Sequence, residues 1–126
     1  MKEIVKTVSA PAAIGPYSQG IKCGNLVFTS GQLPIDMKSG NLVMDDIKKA
    51  TAASLENVRA ILEASGADLS KVIKVVIFLK NMDDFAAMNE VYGEYFKEAQ
   101  PARSCVQVAK LPKDALIEIE AIAALD

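Results

Sequence analysis

One stretch decides the fold predicted for this chain: Val72-Ile73-Lys74-Val75-Val76-Ile77-Phe78-Leu79. Every residue in it except Lys74 is apolar, whereas a strand with one face in water alternates between apolar and polar residues. The stretch is therefore expected to form a central strand that is covered on both faces. The segments before and after it must supply the rest of the sheet and the layer on at least one of its faces.

The flanking segments predict two helices. The first runs from an aspartate cap, Asp45 or Asp46, to about Ser65, and the second follows Asn81 or Asp83. Each helix should lie with one face on a sheet, because its apolar residues form a single stripe. The stripes are Ile47, Thr51, Leu55, Val58 and Leu62 in the first helix, and Phe85, Met88, Tyr92 and Phe96 in the second.

The amino-terminal third predicts strands and loops. Residues 2–8 are expected to form an opening strand at a sheet edge, where charged side chains are tolerated. Residues 18–23 and 26–30 predict a hairpin around the turn Gly24-Asn25, and residues 33–41 predict a loop or a small flap.

Two more strands follow the second helix, one starting at Arg103 and one spanning residues 117–125. The resulting order predicts an α+β domain, a mixed six-stranded sheet with two helices on one face. The other face is too apolar to remain in water, so a copy of the same subunit is expected to cover it. A cyclic homo-oligomer with pockets at its seams follows.

Composition limits the class of protein. The 126 residues are expected to form one domain, 1–126, and a hydrophobic fraction of 51% is typical of a compact globule. The net charge is -2 and basic residues form no run, which argues against nucleic acid and anionic membranes as partners. No apolar leader or membrane-spanning stretch is present in the sequence, so a cytoplasmic location is predicted, with small molecules or copies of the chain as partners.

The chain contains no histidine, which excludes a Ser-His-Asp triad, a His-paired cysteine nucleophile and an HExxH zinc site. Its two cysteines, Cys23 and Cys105, form no CxxC motif. A metal site is therefore not expected, and a reducing compartment is the simpler interpretation.

The candidate chemistry lies in the last two predicted strands. The planar guanidinium of Arg103 can bind a carboxylate through two parallel hydrogen bonds. Glu118 and Glu120 should share one face of the last strand, because side chains alternate with a period of two, and either carboxylate could hold and polarise a water molecule. Together these groups predict a small carboxylate substrate that is attacked by water.

Three further positions are candidates with two interpretations each. Tyr17 follows a stiff loop with two prolines and either plugs the edge of the core or lines a pocket. Ser30-Gly31 ends a strand, where it either lets a ligand approach the backbone or simply begins a loop. Asn89 interrupts the apolar stripe of the second helix and must bond either a loop backbone or a pocket group.

Five stretches of the chain, in order, resemble the RidA family, also called the YjgF family. They are Ala10–Gly20, Thr29–Pro34, Phe85–Tyr92, Pro101–Val106 and Leu111–Ala121. The resemblance implies a chorismate-mutase-like fold and a trimer with three clefts between subunits. It also implies hydrolysis of enamines and imines, such as 2-aminoacrylate, 2-iminopropanoate and 2-iminobutanoate, to 2-oxo acids and ammonia, without a cofactor.

The same resemblance implies roles for individual residues. Arg103 would bind the substrate carboxylate and Glu118 would position and activate the attacking water. Cys105 and Gly31 would contribute backbone contacts, and Tyr17, Ser30 and Asn89 would line the cleft. Without the resemblance, Glu120 would fit the role of Glu118, Arg103 could be part of a structural ion pair, and Cys105 could be an inert buried thiol.

Three other functions compete with deamination. A non-catalytic protein that binds small carboxylates and acts as a regulator would need Arg103 but not Glu118. A chorismate mutase uses several cationic side chains on a dicarboxylate, and only one convincing arginine is present. RNA cleavage, proposed for some relatives, fits poorly with a chain that has no histidine and a net negative charge.

Overall fold

A computed structural model describes residues 1–126. Its strands and α-helices are β1 (Lys2–Val5), β2 (Gly20–Cys23), β3 (Leu26–Thr29), β4 (Ile35–Asp36), β5 (Asn41–Leu42), α1 (Ile47–Ala64), β6 (Val72–Leu79), α2 (Phe85–Tyr95), β7 (Ala102–Gln107) and β8 (Ile117–Ala124). Six strands form one sheet in the order β1-β2-β3-β8-β6-β7, in which only the β6–β7 pair is parallel. A separate two-stranded sheet, β4–β5, occupies the predicted flap.

Local sequence signals account for the ends of α1. Asp46, one of the two predicted caps, accepts hydrogen bonds through Oδ1 from the backbone N–H groups of Lys48 (2.9 Å) and Lys49 (3.2 Å). These bonds satisfy two of the amide groups that every helix leaves unpaired at its first turn. The helix ends before Gly66, whose φ of 91° lies in the region that favours glycine.

Both helices pack on one face of the six-stranded sheet and enclose the core. The helices contribute Leu55, Val58, Leu62, Met88 and Tyr92, and the sheet contributes alternate residues of β6 and β8. The sheet residues that are at most 1% exposed are Val27, Val75, Ile77, Leu79, Ile117, Ile119 and Ala123. The α+β architecture, with a mixed six-stranded sheet and two helices on one face, is confirmed.

The opposite face of the sheet has no covering layer in the chain. Its residues alternate with the core residues, and they remain half-buried or exposed, with Phe28 at 39% and Val106 at 45% exposure. In a single chain Val72–Leu79 is therefore covered on one face, and the cover of its other face by a copy of the chain stays a prediction. An apolar run shows that both faces avoid water, but it does not show whether the cover comes from the same chain.

No helix in the structure combines the length and the apolar character needed to cross a lipid bilayer.

Candidate active site

A surface cavity of about 570 Å³ lies where β3 ends and β8 begins. Four of the predicted site residues, Tyr17, Ser30, Gly31 and Glu118, line it. The other lining residues are Pro11, Ala12, Ile14, Gln32, Leu33, Ile35, Pro112 and Lys113. Three predicted residues, Asn89, Arg103 and Cys105, do not line this cavity.

Glu118 is the acidic group of the cavity. Its side chain is half-buried at the start of β8, and partial burial raises its pKa above the ordinary value of 4.5, with the negative charge of Glu120 adding to the shift. Both causes disfavour the charged carboxylate. A glutamate whose pKa is moved toward neutrality is better suited to exchange protons with a bound substrate.

Position 31 requires a glycine, because its backbone lies against the carboxylate of Glu118. A Cβ atom built on Gly31 would collide with Oε2 of Glu118 and lie 2.7 Å from Cδ, so any side chain would displace the carboxylate. The N–H and C=O of Gly31 make no hydrogen bond within the chain. The cavity thus offers an unpaired backbone donor and acceptor directly beside the carboxylate.

The residues on either side of Gly31 are held firmly. Ser30 donates from its backbone N–H to Gln19 O (2.9 Å) and from Oγ to Ser18 O (2.5 Å). Gln32 donates to Ile119 O (2.7 Å) and accepts from the N–H of Ile119 (3.1 Å). Gly31 is therefore fixed between two anchored neighbours, which restricts the direction of its free backbone groups.

Tyr17 lies in the cavity wall with 53% of its surface exposed, so it does not plug the core. The loop that carries it is tied down by Gln19, which is only 3% exposed. The Gln19 side chain accepts from the N–H of Thr7 (2.7 Å) and donates to Thr7 O (3.0 Å) and Pro11 O (2.7 Å). The sequence interpretation missed Gln19, although a glutamine between a proline-rich loop and a strand can be recognised as a polar group that needs partners.

Arg103 is held on the helix side of the sheet by residues of α2. Its Nη1 donates to Asn89 Oδ1 (2.6 Å), and its guanidinium lies 4.7 Å from the centre of the Tyr92 ring and 5.5 Å from that of Phe85. Arg103 makes no salt bridge, so the structural ion pair is not found in the chain. The guanidinium is positioned by one amide and two rings and keeps donors free for an anion.

Cys105 lies on the same side of the edge strand β7 as Arg103. Partial burial raises the pKa of its thiol, while the charge of Arg103 acts in the opposite direction with the smaller effect. The backbone of Val108 points toward β6, because its N–H donates to Leu79 O (3.0 Å). Successive residues of a strand direct their backbone N–H and C=O groups to opposite sides. Arg103 and Cys105 lie an odd number of residues before Val108, so their backbone groups point away from β6, toward the open edge of the sheet.

Arg103 and Glu118 are not neighbours within one chain, contrary to the expected pairing of a cation with a nearby acid. Arg103 is in register with Val75, a core residue on the helix face, whereas Glu118 is in register with Phe78 on the opposite face. Strand β6 also lies between them. The alternation within a strand predicted that Glu118 and Glu120 share a face. It does not tell which strands are neighbours, or which residues of two neighbouring strands lie on the same face of the sheet.

Removing the charge of Glu120 should shift the pH dependence of any reaction that uses the Glu118 carboxylate. The raised pKa of Glu118 predicts that kcat/KM falls, as the pH is lowered, at a pH above 4.5. In Glu120→Gln this limb should move to lower pH, because a like charge is removed. A pH profile of kcat/KM checks this, with Glu98→Gln, an exposed glutamate outside the cavity, as the control.

The stability of the fold should show the same titration. Because folding raises the pKa of Glu118, protonation favours the folded state. This contribution to the free energy of unfolding is fully present below pH 4.5, the ordinary pKa of a glutamate, and is lost as the pH rises through the raised pKa of the folded state.

The kinetic profile gives the contradicting result. If the acid limb of kcat/KM stays in place in Glu120→Gln, Glu118 is not the group that titrates.

Comparisons with known proteins show relatives of similar sequence and fold over nearly the whole chain. A family model described as Endoribonuclease L-PSP matches residues 7–125. A RutC family protein of Pyrococcus horikoshii is 61% identical over 123 residues, covering 98% of both chains. A 2-iminobutanoate/2-iminopropanoate deaminase of Salmonella typhimurium is 50% identical over 126 residues, again covering 98% of each. The crystal structure of Escherichia coli TdcF with bound serine superimposes with a TM-score of 0.91 at 49% identity, covering 97% of this chain and 98% of that one.

Proposed function

This chain belongs to the Endoribonuclease L-PSP family, also called the RidA or YjgF family, and on that premise we propose that it is a hydrolytic deaminase of reactive enamines and imines. Its substrates are 2-iminopropanoate, which is the tautomer of 2-aminoacrylate, and 2-iminobutanoate. The products are a 2-oxo acid and ammonia. The single observation that carries this proposal is a half-buried glutamate with a raised pKa, Glu118, beside the unpaired backbone of Gly31.

The reaction needs water but no oxidant, and its atoms balance. The oxygen of water bonds to C2 of the imine as the π electrons of the C=N bond move to nitrogen, which takes up a proton. The C–N bond of the resulting carbinolamine then breaks as the hydroxyl proton is transferred to nitrogen, so that ammonia leaves and the 2-oxo acid remains. An imine carbon is already electrophilic, so positioned water and one proton-transfer group suffice.

Glu118 is the proton-transfer group in this scheme. Its carboxylate accepts a proton from the attacking water and passes it to the imine nitrogen, and in the second step it passes the hydroxyl proton of the carbinolamine to the departing nitrogen. The nearby N–H of Gly31 is free to donate to an oxygen of the substrate or of the intermediate. Such a donor stabilises the negative charge that develops on the carbinolamine oxygen as its proton leaves and the C–N bond breaks.

Arg103 binds the carboxylate at C1 of the substrate. The contacts with Asn89 and Tyr92 orient the guanidinium before the substrate arrives, which lowers the entropy lost on binding. Cys105 serves through its outward backbone groups rather than through its thiol, because a thiol whose pKa is raised by burial is a poor nucleophile.

The complete site requires two subunits of a homotrimer in this proposal. Tyr17, Ser30, Gly31 and Glu118 of one subunit face Asn89, Arg103 and Cys105 of the next. Three features of the chain support this arrangement: the two groups lie on opposite sheet faces, one sheet face is uncovered, and β7 is an open edge. The whole chain, residues 1–126, acts as one domain in each subunit.

The wild-type protein is tested with imines made in situ by an amino-acid oxidase. Alanine yields 2-iminopropanoate, which a nucleophile such as semicarbazide traps as a stable adduct. We expect the protein to reduce trapping and to accelerate release of ammonia and pyruvate. Equal adduct with and without protein, over a range of protein concentrations, would contradict the proposed activity.

A further inference from the structure

One charged residue of the cavity has no part in the scheme above. The lining contains one acidic and one basic side chain, Glu118 and Lys113. Lys113 is exposed at the rim and makes no salt bridge. Its ammonium group is therefore free to meet an anion that occupies the cavity.

The backbone at Lys113 is strained. Ala115 donates its N–H to Pro112 O (3.1 Å), and the two central residues of this turn, Lys113 and Asp114, both have a φ of 57°. These are the features of a type I′ turn, for which Asn-Gly is the favoured sequence and a lysine is unfavourable. A left-handed conformation in a residue other than glycine persists only where the surroundings impose it.

The surroundings of the turn do impose it. Leu111 and Ala115, which flank the turn, are 6% and 0% exposed, and Asp114 pairs with Lys80 at 2.9 Å. The side chain of Asp114 thus anchors the turn. The side chain of Lys113 makes no such salt bridge, and it lines the cavity.

We propose that Lys113 determines substrate specificity by binding a second acid group on the side chain of the substrate. This inference rests on the proposed function. With the C1 carboxylate bound by Arg103, a cation on the Glu118 side of the cleft is left for another part of the same molecule. A cavity of about 570 Å³ has room for more than a three-carbon imino acid. The substrate class is the 2-imino dicarboxylates, the imines of aspartate and glutamate.

Lys113→Asn tests this inference, because asparagine tolerates the left-handed conformation but carries no charge. We expect kcat/KM for 2-iminosuccinate to fall roughly 1.5- to fivefold more than kcat/KM for 2-iminopropanoate, the range of an exposed ion pair. The loss should appear in KM rather than in kcat. Lys113→Arg should retain the preference, and the unfolding temperature of Lys113→Asn should not fall, since the strain is relieved.

Lys110→Asn is the matched control, because it makes the same change of charge at an exposed position outside the cavity. It should leave the ratio of the two kcat/KM values unchanged. Equal losses for both substrates in Lys113→Asn, or a wild type that hydrolyses 2-iminopropanoate but not 2-iminosuccinate, would overturn the role of Lys113. A wild type inactive on 2-iminopropanoate would instead overturn the proposed function itself.

Discussion

Replacing Arg103 with alanine is expected to lower kcat/KM for 2-iminopropanoate by about 30-fold to several thousandfold, equivalent to about 2 to 5 kcal/mol. Truncation leaves the substrate carboxylate without its partner in a partly desolvated cleft. It also removes the group that contacts Asn89 and the Tyr92 ring. Initial rates of ammonia release, measured with imine generated in situ, give the value directly.

Arg103→Lys should restore little of this activity. A lysine keeps the charge but loses the planar fork that binds a carboxylate through two hydrogen bonds and stacks on an aromatic ring. Arg59, the other arginine of the chain, offers the control, because it also lies over a ring of α2, that of Tyr95 at 5.3 Å. Arg59→Ala should keep full activity. If Arg103→Ala has the kcat/KM of the wild type, Arg103 is not part of the site.

Glu118→Gln should lower kcat by about 100- to 10,000-fold, the usual contribution of a general acid or base. Glutamine keeps the size of the side chain and its place beside Gly31 but cannot transfer a proton. Binding of 2-oxobutanoate, measured by calorimetry, should persist, because its carboxylate is held by Arg103. Glu120→Gln, assayed at a pH above the acid limb, is the matched control and should keep the wild-type kcat, since Glu120 lies on the same sheet face but does not line the cavity.

The outcome at Glu118 also separates catalysis from mere binding. TdcF, a relative of known structure, holds serine, a small molecule with one carboxylate. A protein that only binds such ligands would need Arg103 but not Glu118. Unchanged turnover in Glu118→Gln would therefore exclude the proton-transfer role, and a wild type that binds 2-oxobutanoate without turnover would favour a regulatory protein.

Much of the fold follows from local patterns in the sequence. The apolar run Val72–Leu79, the cap at Asp46 and the glycine at position 66 predict β6 and α1 nearly to the residue, because each depends on neighbours close in the chain. The apolar excess of the sheet also predicts an uncovered face. Whether a copy of the chain covers that face stays a prediction.

The arrangement of the site was less predictable. The residue types suggested a cation, an acid and water, and the family resemblance assigned them to Arg103 and Glu118. Their positions on opposite faces follow from the order β8-β6-β7 and from the register of Val75 with Arg103, which depend on long-range pairing. The role of Gln19 and the strained turn at Lys113 depend on tertiary hydrogen bonds and backbone angles, which no short pattern specifies.

The most direct measurement of the central claim uses mixed oligomers of two inactive variants. If Arg103 and Glu118 act in one cleft from different subunits, unfolding and refolding Arg103→Ala and Glu118→Gln together in equal amounts should restore activity. In a cyclic assembly with random mixing, about a quarter of the clefts combine an intact arginine with an intact glutamate. We predict about a quarter of wild-type kcat per cleft. A mixture no more active than the separate variants would contradict a site shared between subunits.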